Sequence, residues 1–544
     1  RLALSSVTTT SNNTAVGGVA LQNNTGGNNT AVGSSALNAN TSANNNTAVG
    51  ANALLSNTTG TRNTAVGYAT LDALTTGIQN TVIGESAGTS ATTAVNLNAF
   101  GYYAGGNVTT GSDNVAVGTE ALATCTTGAR NIAIGKESGH QTTSSDNVFI
   151  GNQAGKATTS GACNTVVGPS ALIANTTGGN NTAIGCDALG ANTTASYNNA
   201  FGSGALDANT TGSRNTAIGS RCLTDNTTGG NNVAVGEATL FKNTTGGNNV
   251  AVGIGAIENN STGVSLTAVG YRALHYCTTN NITAVGLDAA FNTTTGANNT
   301  ALGMNSLRAN TSGYYCTALG EGALSDHTTG YYNIGIGQSA GNNLTTGALN
   351  TIVGCNANVG YNSAGCLVLG YGNDTGAGTS VVAHIGYNNG TNGVSSYHVT
   401  FGQNGTWSRL AFGGSSFATS SDERKKKEVS DHQLGLDFVN QLRPVNYKFK
   451  AHSEVPEEWS IYDPEQTEHE FEDVVQTGML AQDVKQALDS LGVEPEKFNG
   501  WGEEEDGMQT LNYGQFIMPL INSVKELSAK CDSLQNEINI LKGE

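Results

Sequence analysis

The chain has 544 residues with 73 Gly, 6 Pro and only 12% charged residues, about half the usual charged share. Its formal net charge is −18, and no basic stripe exists outside one short cluster, which argues against nucleic acid as a partner. Charges number 25 before position 400 and 39 after it, so a nearly neutral body precedes a charged, conventional tail.

The body is a repeat. Aligned on the glycine closing each N-T-A-V-G-like unit, it runs Gly17, Gly33, Gly50, Gly67 and onward to Gly354 and Gly370, in steps of 17 residues and occasionally 16. The residue before each glycine is Val, Ile, Leu or Phe, the second before it usually Ala, the fourth usually Asn. Ala-Leu or Ala-Gly follows (Ala36-Leu37, Ala188-Leu189), then a polar N-T-T-G turn. Short apolar pieces broken by Gly and Asn cannot sustain a helix, because nucleation is costly and Gly disfavours it further. T-A-V suits a short strand, read here with Val buried and Thr at the alternating positions. One Val and one Leu cannot bury a core alone, so successive repeats must stack. The fold class expected is mainly β: a parallel β-solenoid shaft over residues 1–370, one coil per repeat. Twenty-two coils at about 4.8 Å make roughly 100 Å of shaft. The odd period requires a turn that resets the side-chain alternation, and the T-T-G turn, which also tolerates 16-residue copies, is where that is expected.

Over Thr14–Gly370 the repeat resembles the YadA-type head repeats of trimeric adhesins and the shafts of phage and algal-virus tail fibres. The resemblance implies a homotrimer whose three thin-cored chains share an axial core. The many N-x-T triplets read as glycosylation acceptors or as ladder and turn residues. Thr rows that bind ice or carbohydrate would need a strictly kept T-x-T face. Calcium is excluded because no regular Asp supplies ligands. Neither cofactor nor metal is expected. The nine cysteines follow no C-x-x-C spacing and read as small buried hydrophobes.

The period fails between Tyr371 and Ser420, a stretch read as a transition or distal tip. Residues 421–544 open with S-D-E-R-K-K-K-E-V (Ser421–Val429). The plain reading of the basic run is a solvated patch. The sharper one uses the spacing of Ser421 and Lys426, since a desolvated Lys can take the proton of a Ser hydroxyl. S-D-x-R-x-K, then L-x-F-V-N-Q-L-R-P-V-N-Y (Leu436–Tyr447), G-M-L-A-Q-D-V (Gly478–Val484) and L-N-Y (Leu511–Tyr513) resemble the C-terminal intramolecular chaperone of phage tail spikes and endosialidases. That resemblance implies an α+β domain that registers three chains and then cuts itself off. Ser421 would be the nucleophile, Lys426 the general base and Ser420–Ser421 the scissile bond. Lys425 and Lys427 flank Lys426, which lowers its affinity for a proton, but an exposed run is not desolvated. In the final helix, expected over 517–541, Ile517, Leu520, Val524, Leu527, Cys531, Leu534, Ile538 and Leu541 alternate three and four apart, a heptad seam that reads as a trimeric coiled coil.

Together these readings point to a structural trimeric fibre, a viral tail fibre in the virion, assembled in the host cytoplasm. It would bind a host cell-surface receptor or glycan and reach other tail proteins through an N-terminal segment expected to precede Arg1. The sole chemistry is one self-cleavage per chain. No apolar run is long enough to span a membrane and no signal peptide is seen, so no membrane insertion is expected. The rivals are a trimeric surface adhesin or extracellular fibre of a cell, and a glycan-depolymerising spike, which needs paired carboxylates where the body has scattered acids. A membrane-bound transcription factor sharing the auto-processing domain would need a DNA-binding domain and a membrane helix.

Overall fold

A computed structural model describes residues 12–376, 380–388, 398–403, 406–411, 418–419, 427–459, 461–467, 475–504 and 506–543. The chain divides into two compact units, Arg1–Ser420 and Ser421–Glu544.

The first unit is the parallel β-solenoid. Twenty-two three-residue strands, β1 (Thr14–Val16) to β22 (Leu367–Leu369), pair in parallel, each with its sequence neighbours. Register is strict: Val250, Ala251 and Val252 lie against Thr267, Ala268 and Val269.

The strand's faces are the reverse of the sequence reading. From β2 (Thr30–Val32) onward the middle residue, usually Ala, is buried, whereas none of the twenty-two Val, Ile, Leu or Phe residues before the glycines is. A coil closed by 17 residues has room inside its strand for a methyl group, and the core's bulk comes from elsewhere. It comes from the Ala-Leu turn, where Ala36, Leu37, Ala188 and Leu189 are fully buried. Successive turns fold this segment: Ala36 N–H donates to the Gly33 carbonyl and Asn38 N–H to that of Ser35. Each has its third residue left-handed, Ser35 at φ 62° and Leu37 at φ 50°, as type II turns require. Leu is a costly residue to place there, and burial of its side chain, about 2 kcal/mol, offsets the strain.

The glycines are fixed by contact as much as by conformation. Gly253 has φ 127°, and a Cβ on it would lie 2.5 Å from the Gly270 carbonyl oxygen of the next coil. The shorter coils lose their residue at the turn, as expected. Thr25 N–H reaches the Thr41 carbonyl 16 positions on, while Gly26 already stacks on Ala43, 17 on.

Asn residues form two buried ladders. One runs through the N-T-T-G turn: Asn192, Asn209, Asn226, Asn243 and Asn260 each donate Nδ2 to the Oδ1 of the Asn one coil earlier at 2.8–3.0 Å. The same Nδ2 of Asn243 caps its own turn at the Gly246 carbonyl (3.0 Å). The second precedes the strand: the Asn249 backbone N–H donates to Asn232 Oδ1 (3.1 Å) and its Nδ2 to the Gly263 carbonyl (2.9 Å). Asn175 and Asn243, each the first residue of an N-T-T triplet, are buried, which leaves no space for a glycan on them. Thr hydroxyls are likewise engaged, Thr176 Oγ1 donating to the Thr193 carbonyl at 3.0 Å.

Where the first ladder lapses, the same core corner holds apolar residues, Leu74, Ala91, Val108 and Cys125, all fully buried. Cys277 follows Asn260 in that row, and Cys316 and Cys366 stand in the second. Five cysteines (Cys125, Cys222, Cys277, Cys316, Cys366) are thus core fillers, whereas Cys163, Cys186 and Cys531 are exposed and Cys355 half-buried.

The stack continues past Gly370. Strands β23 (Val382–Tyr387) and β24 (His398–Gln403) add in parallel, then β25 (Thr406–Ala411) and β26 (Ala418–Thr419) turn antiparallel.

The second unit holds α1 (Leu436–Val439), an antiparallel pair β27 (Val445–Tyr447) and β28 (Gln476–Gly478), α2 (Ala481–Ser490), a second pair β29 (Trp501–Glu503) and β30 (Gln509–Leu511), and α3 (Ile517–Lys542). Its core gathers Leu434, Phe438, Val484, Leu488, Phe498 and Trp501. Among the described residues no helix is long and apolar enough to cross a membrane, and no group of His, Cys, Asp or Glu is arranged to hold a metal.

Candidate functional site

Ser420, Ser421 and Lys426 lie outside the described residues. The chain is described again from Lys427, whose side chain is 91% exposed and pairs with Glu428 at 3.8 Å. An exposed pair of that kind contributes little. Glu428 takes a left-handed φ of 57° and Val429 is exposed, so the end of the basic run is solvated.

The three motifs downstream, far apart in sequence, come together in space. Phe438 of the first is fully buried, edge-on to Phe498 (5.7 Å) and stacked on Phe516 (6.2 Å). Arg443 of the first pairs with Asp483 of the second at 2.9 Å. Asn446 and Tyr447 pair in β27–β28 with Thr477 and Gln476, just before the second. Tyr513 of the third accepts the Met479 backbone N–H at its hydroxyl (2.8 Å). Helix α3 is tied back at its start: Glu526 accepts from the Leu436 N–H (2.9 Å) and Asn522 Nδ2 donates to the His432 carbonyl (2.7 Å). The motifs are therefore a scaffold that fixes where the chain after Lys427 enters and where α3 leaves. A cavity of about 590 Å³ opens beside it, lined by Tyr447, Phe449, Trp459, Met479, Leu480 and Tyr513 among others. Sequence reading had the motifs but not the Tyr513–Met479 bond, since a phenol's partner has no sequence signature.

Two apolar faces have no partner among the described residues. On the shaft, the residues before the glycines make a row in which Ile184 is 36% and Val16 58% exposed, with Phe100, Phe201, Ile218, Leu302 and Leu319 between. Tyr68, Tyr271 and Met304, one residue after their glycines, are exposed as well. Soluble monomers rarely expose contiguous apolar patches beyond a few hundred Å². On α3 every heptad residue is exposed, from 42% at Ile538 to 86% at Leu541, while Pro519 and Ser523 face the domain. The seam is thus not the face by which α3 packs on its own unit.

The profile of the family described as chaperone of endosialidase matches residues 421–493. No curated protein matches the chain. The second unit carries a chaperone-of-endosialidase domain, and the solenoid ahead of it fits a protein of tail-spike or tail-fibre type.

Proposed function

We propose that the chain is one strand of a homotrimeric viral tail fibre for host attachment. Its last domain brings three chains into register and then cleaves itself from the shaft between Ser420 and Ser421. What carries the reading is the pair of unpartnered apolar faces, one along the solenoid and one along α3. Covering about a third of a Val or Ile side chain yields roughly 1 kcal/mol. One coil therefore contributes little to association and twenty-two contribute a great deal.

The same figure explains the chaperone. A chain slipped by one coil forfeits only that coil's share, about 1 kcal/mol, because its neighbours are near-copies. A unique domain that trimerises through the α3 seam removes the ambiguity before the shaft zips. In the cleavage, Lys426 takes the proton from Ser421 Oγ, which attacks the Ser420 carbonyl carbon. The Ser421 amine leaves with a proton and water then hydrolyses the ester, giving a carboxylate at Ser420 and a free amine at Ser421. Losing the registering domain would leave the aligned trimer kinetically trapped.

Denaturing electrophoresis of the wild-type protein beside Ser421→Ala and Lys426→Ala tests this. Wild type is expected to give a shaft band ending at Ser420 and both variants a full-length band; uncut wild type in native trimers would end the cleavage reading. Mass in solution tests assembly separately, and a monodisperse monomer would overturn it.

A further inference from the structure

At the corner before each strand, two residues link the T-T-G turn to the buried Asn. They are Gly247-Asn248 in one coil, Ser112-Asp113, Ala129-Arg130 and Ser213-Arg214 in others. In two successive coils both positions are Tyr, at Tyr314-Tyr315 and Tyr331-Tyr332. A parallel bridge joins Tyr314 to Tyr331, and Tyr332 N–H donates to the Tyr314 carbonyl at 3.1 Å. The rings form two stacks, Tyr314 on Tyr331 (5.3 Å, 9°) and Tyr315 on Tyr332 (5.0 Å, 3°). The stacks meet edge to face at 73° and 79°. All four rings are 39–50% exposed. Tyr315 and Tyr332 hold φ of 55° and 54°, a conformation that Asn takes at far less cost. The solenoid needs nothing aromatic here, as Gly247-Asn248 shows.

We propose that this quartet is a binding platform for a neutral saccharide chain. The rings offer flat apolar surface to sugar C–H faces, and four phenol hydroxyls offer donors and acceptors to sugar hydroxyls. Tyr does this with little side-chain entropy to lose. The two turns, Thr311–Cys316 and Thr328–Asn333, contain no charged residue, so an anionic glycan or charged peptide finds no counter-ion there. At the equivalent position of two other coils an exposed Arg130 pairs with Asp146, so this corner of the coil accepts polar, charged or aromatic side chains without disturbing the stack. The proposal rests on the attachment reading and names the class of receptor.

The test is calorimetric titration of the full chain with cellohexaose, maltohexaose and chitin hexasaccharide, with tyrosine fluorescence as second readout. The comparison is a variant combining Tyr314→Gly, Tyr315→Asn, Tyr331→Gly and Tyr332→Asn, residues the shaft already uses at this corner. At least one sugar is expected to bind wild type and to lose tenfold or more in affinity on the variant, with unfolding temperature and mass unchanged. If the variant does not fold, Tyr315→Phe with Tyr332→Phe keeps the rings and is expected to weaken binding several-fold. Failure of all three sugars to bind wild type overturns the proposal, as does equal binding by a folded variant. A change in assembly mass would assign the face to contact between copies instead. Trimer mass in the same samples reports on assembly, so the two readings fail separately.

Discussion

At the scale of residues, the buried polar rows set the stability of the shaft. Asn226 donates to Asn209 Oδ1 (2.8 Å) and the Gly229 carbonyl (3.0 Å), and accepts from Asn243 (2.8 Å). Asn226→Ala removes the donor to the buried Asn209 Oδ1, at about 1–3 kcal/mol, and one of the two acceptors of Asn243 Nδ2, which keeps the Gly246 carbonyl. The expected result is faster amide exchange confined to the coils around 209–243, with distant coils unchanged. His327 takes an Asn place in the same row. Its Nε2 accepts from Asn333 Nδ2 (3.0 Å), so Nδ1 carries the proton and donates to Asn310 Oδ1 (3.2 Å). Burial pushes its pKa down from 6.5 to about 4. Between those values the unfolded chain binds more protons. The stability is therefore whole above about pH 6.5 and drains as pH falls toward 4, by roughly 3 kcal/mol per chain. His327→Asn is expected to flatten that part of the unfolding temperature against pH; an unchanged slope would place the titration elsewhere.

At the scale of elements, the period and the turn were legible in the sequence, and the strand's facing was not. Alternation allows T-A-V to point either way, and hydrophobicity favours Val inward. Space decides otherwise: in most coils the inward middle position holds Ala and the larger residue points out, and only a few coils fit Val82, Val166, Ile352 or Val368 inside. Phe149 shows the rule by breaking it. It sits fully buried at a middle position, and where most coils supply the buried Leu stand Gly139 and Gly155. A Cβ on Gly139 would lie 2.7 Å from the ring, and one on Gly155 closer still. Gly155→Leu is therefore expected to unfold the neighbouring coils, and Gly155→Leu with Phe149→Ala to recover, read by thermal denaturation. On the outward face, Val252→Lys with Val269→Lys leaves the core of each coil intact. Assembly is expected to weaken in analytical ultracentrifugation while circular dichroism stays unchanged. The left-handed Leu turns were also hidden, since propensity places no Leu at positive φ. Helix α3 and the side on which its heptad residues lie were legible, because their spacing puts them on one exposed face. The Ser421–Lys426 pair rests on its resemblance and lies outside the described residues.

At the scale of the whole molecule, the proposed function has the two units divide the work, one supplying extension and the other uniqueness. Separating them tests that division. A chain ending at Ser420 is expected to give heterogeneous assemblies, with ends offset by whole coils of about 4.8 Å. Co-expressing residues 421–544 as a detached domain is not expected to restore uniformity, since the guide must be joined to what it aligns. Electron microscopy of blunt against ragged ends, with mass distributions, reads the difference. Blunt, uniform fibres from the truncated chain would remove the need for a registering domain.

The uneven Asn row has a mechanical consequence. Bonds between coils run along the stack, so tension on the shaft is borne at each boundary by all the bonds crossing it together, and the boundary with fewest yields first. Side-chain rungs link Asn175 through Asn260, whereas Leu74, Ala91, Val108 and Cys125 supply no Asn rung to that row. Both rows lapse together between the coils of Leu97 and Asn114, and again where Cys277 stands in the first row and Leu266 and Ile282 in the second, so a pulled shaft is expected to open first at one of these two places, while the coils from Asn175 to Asn260 hold longest.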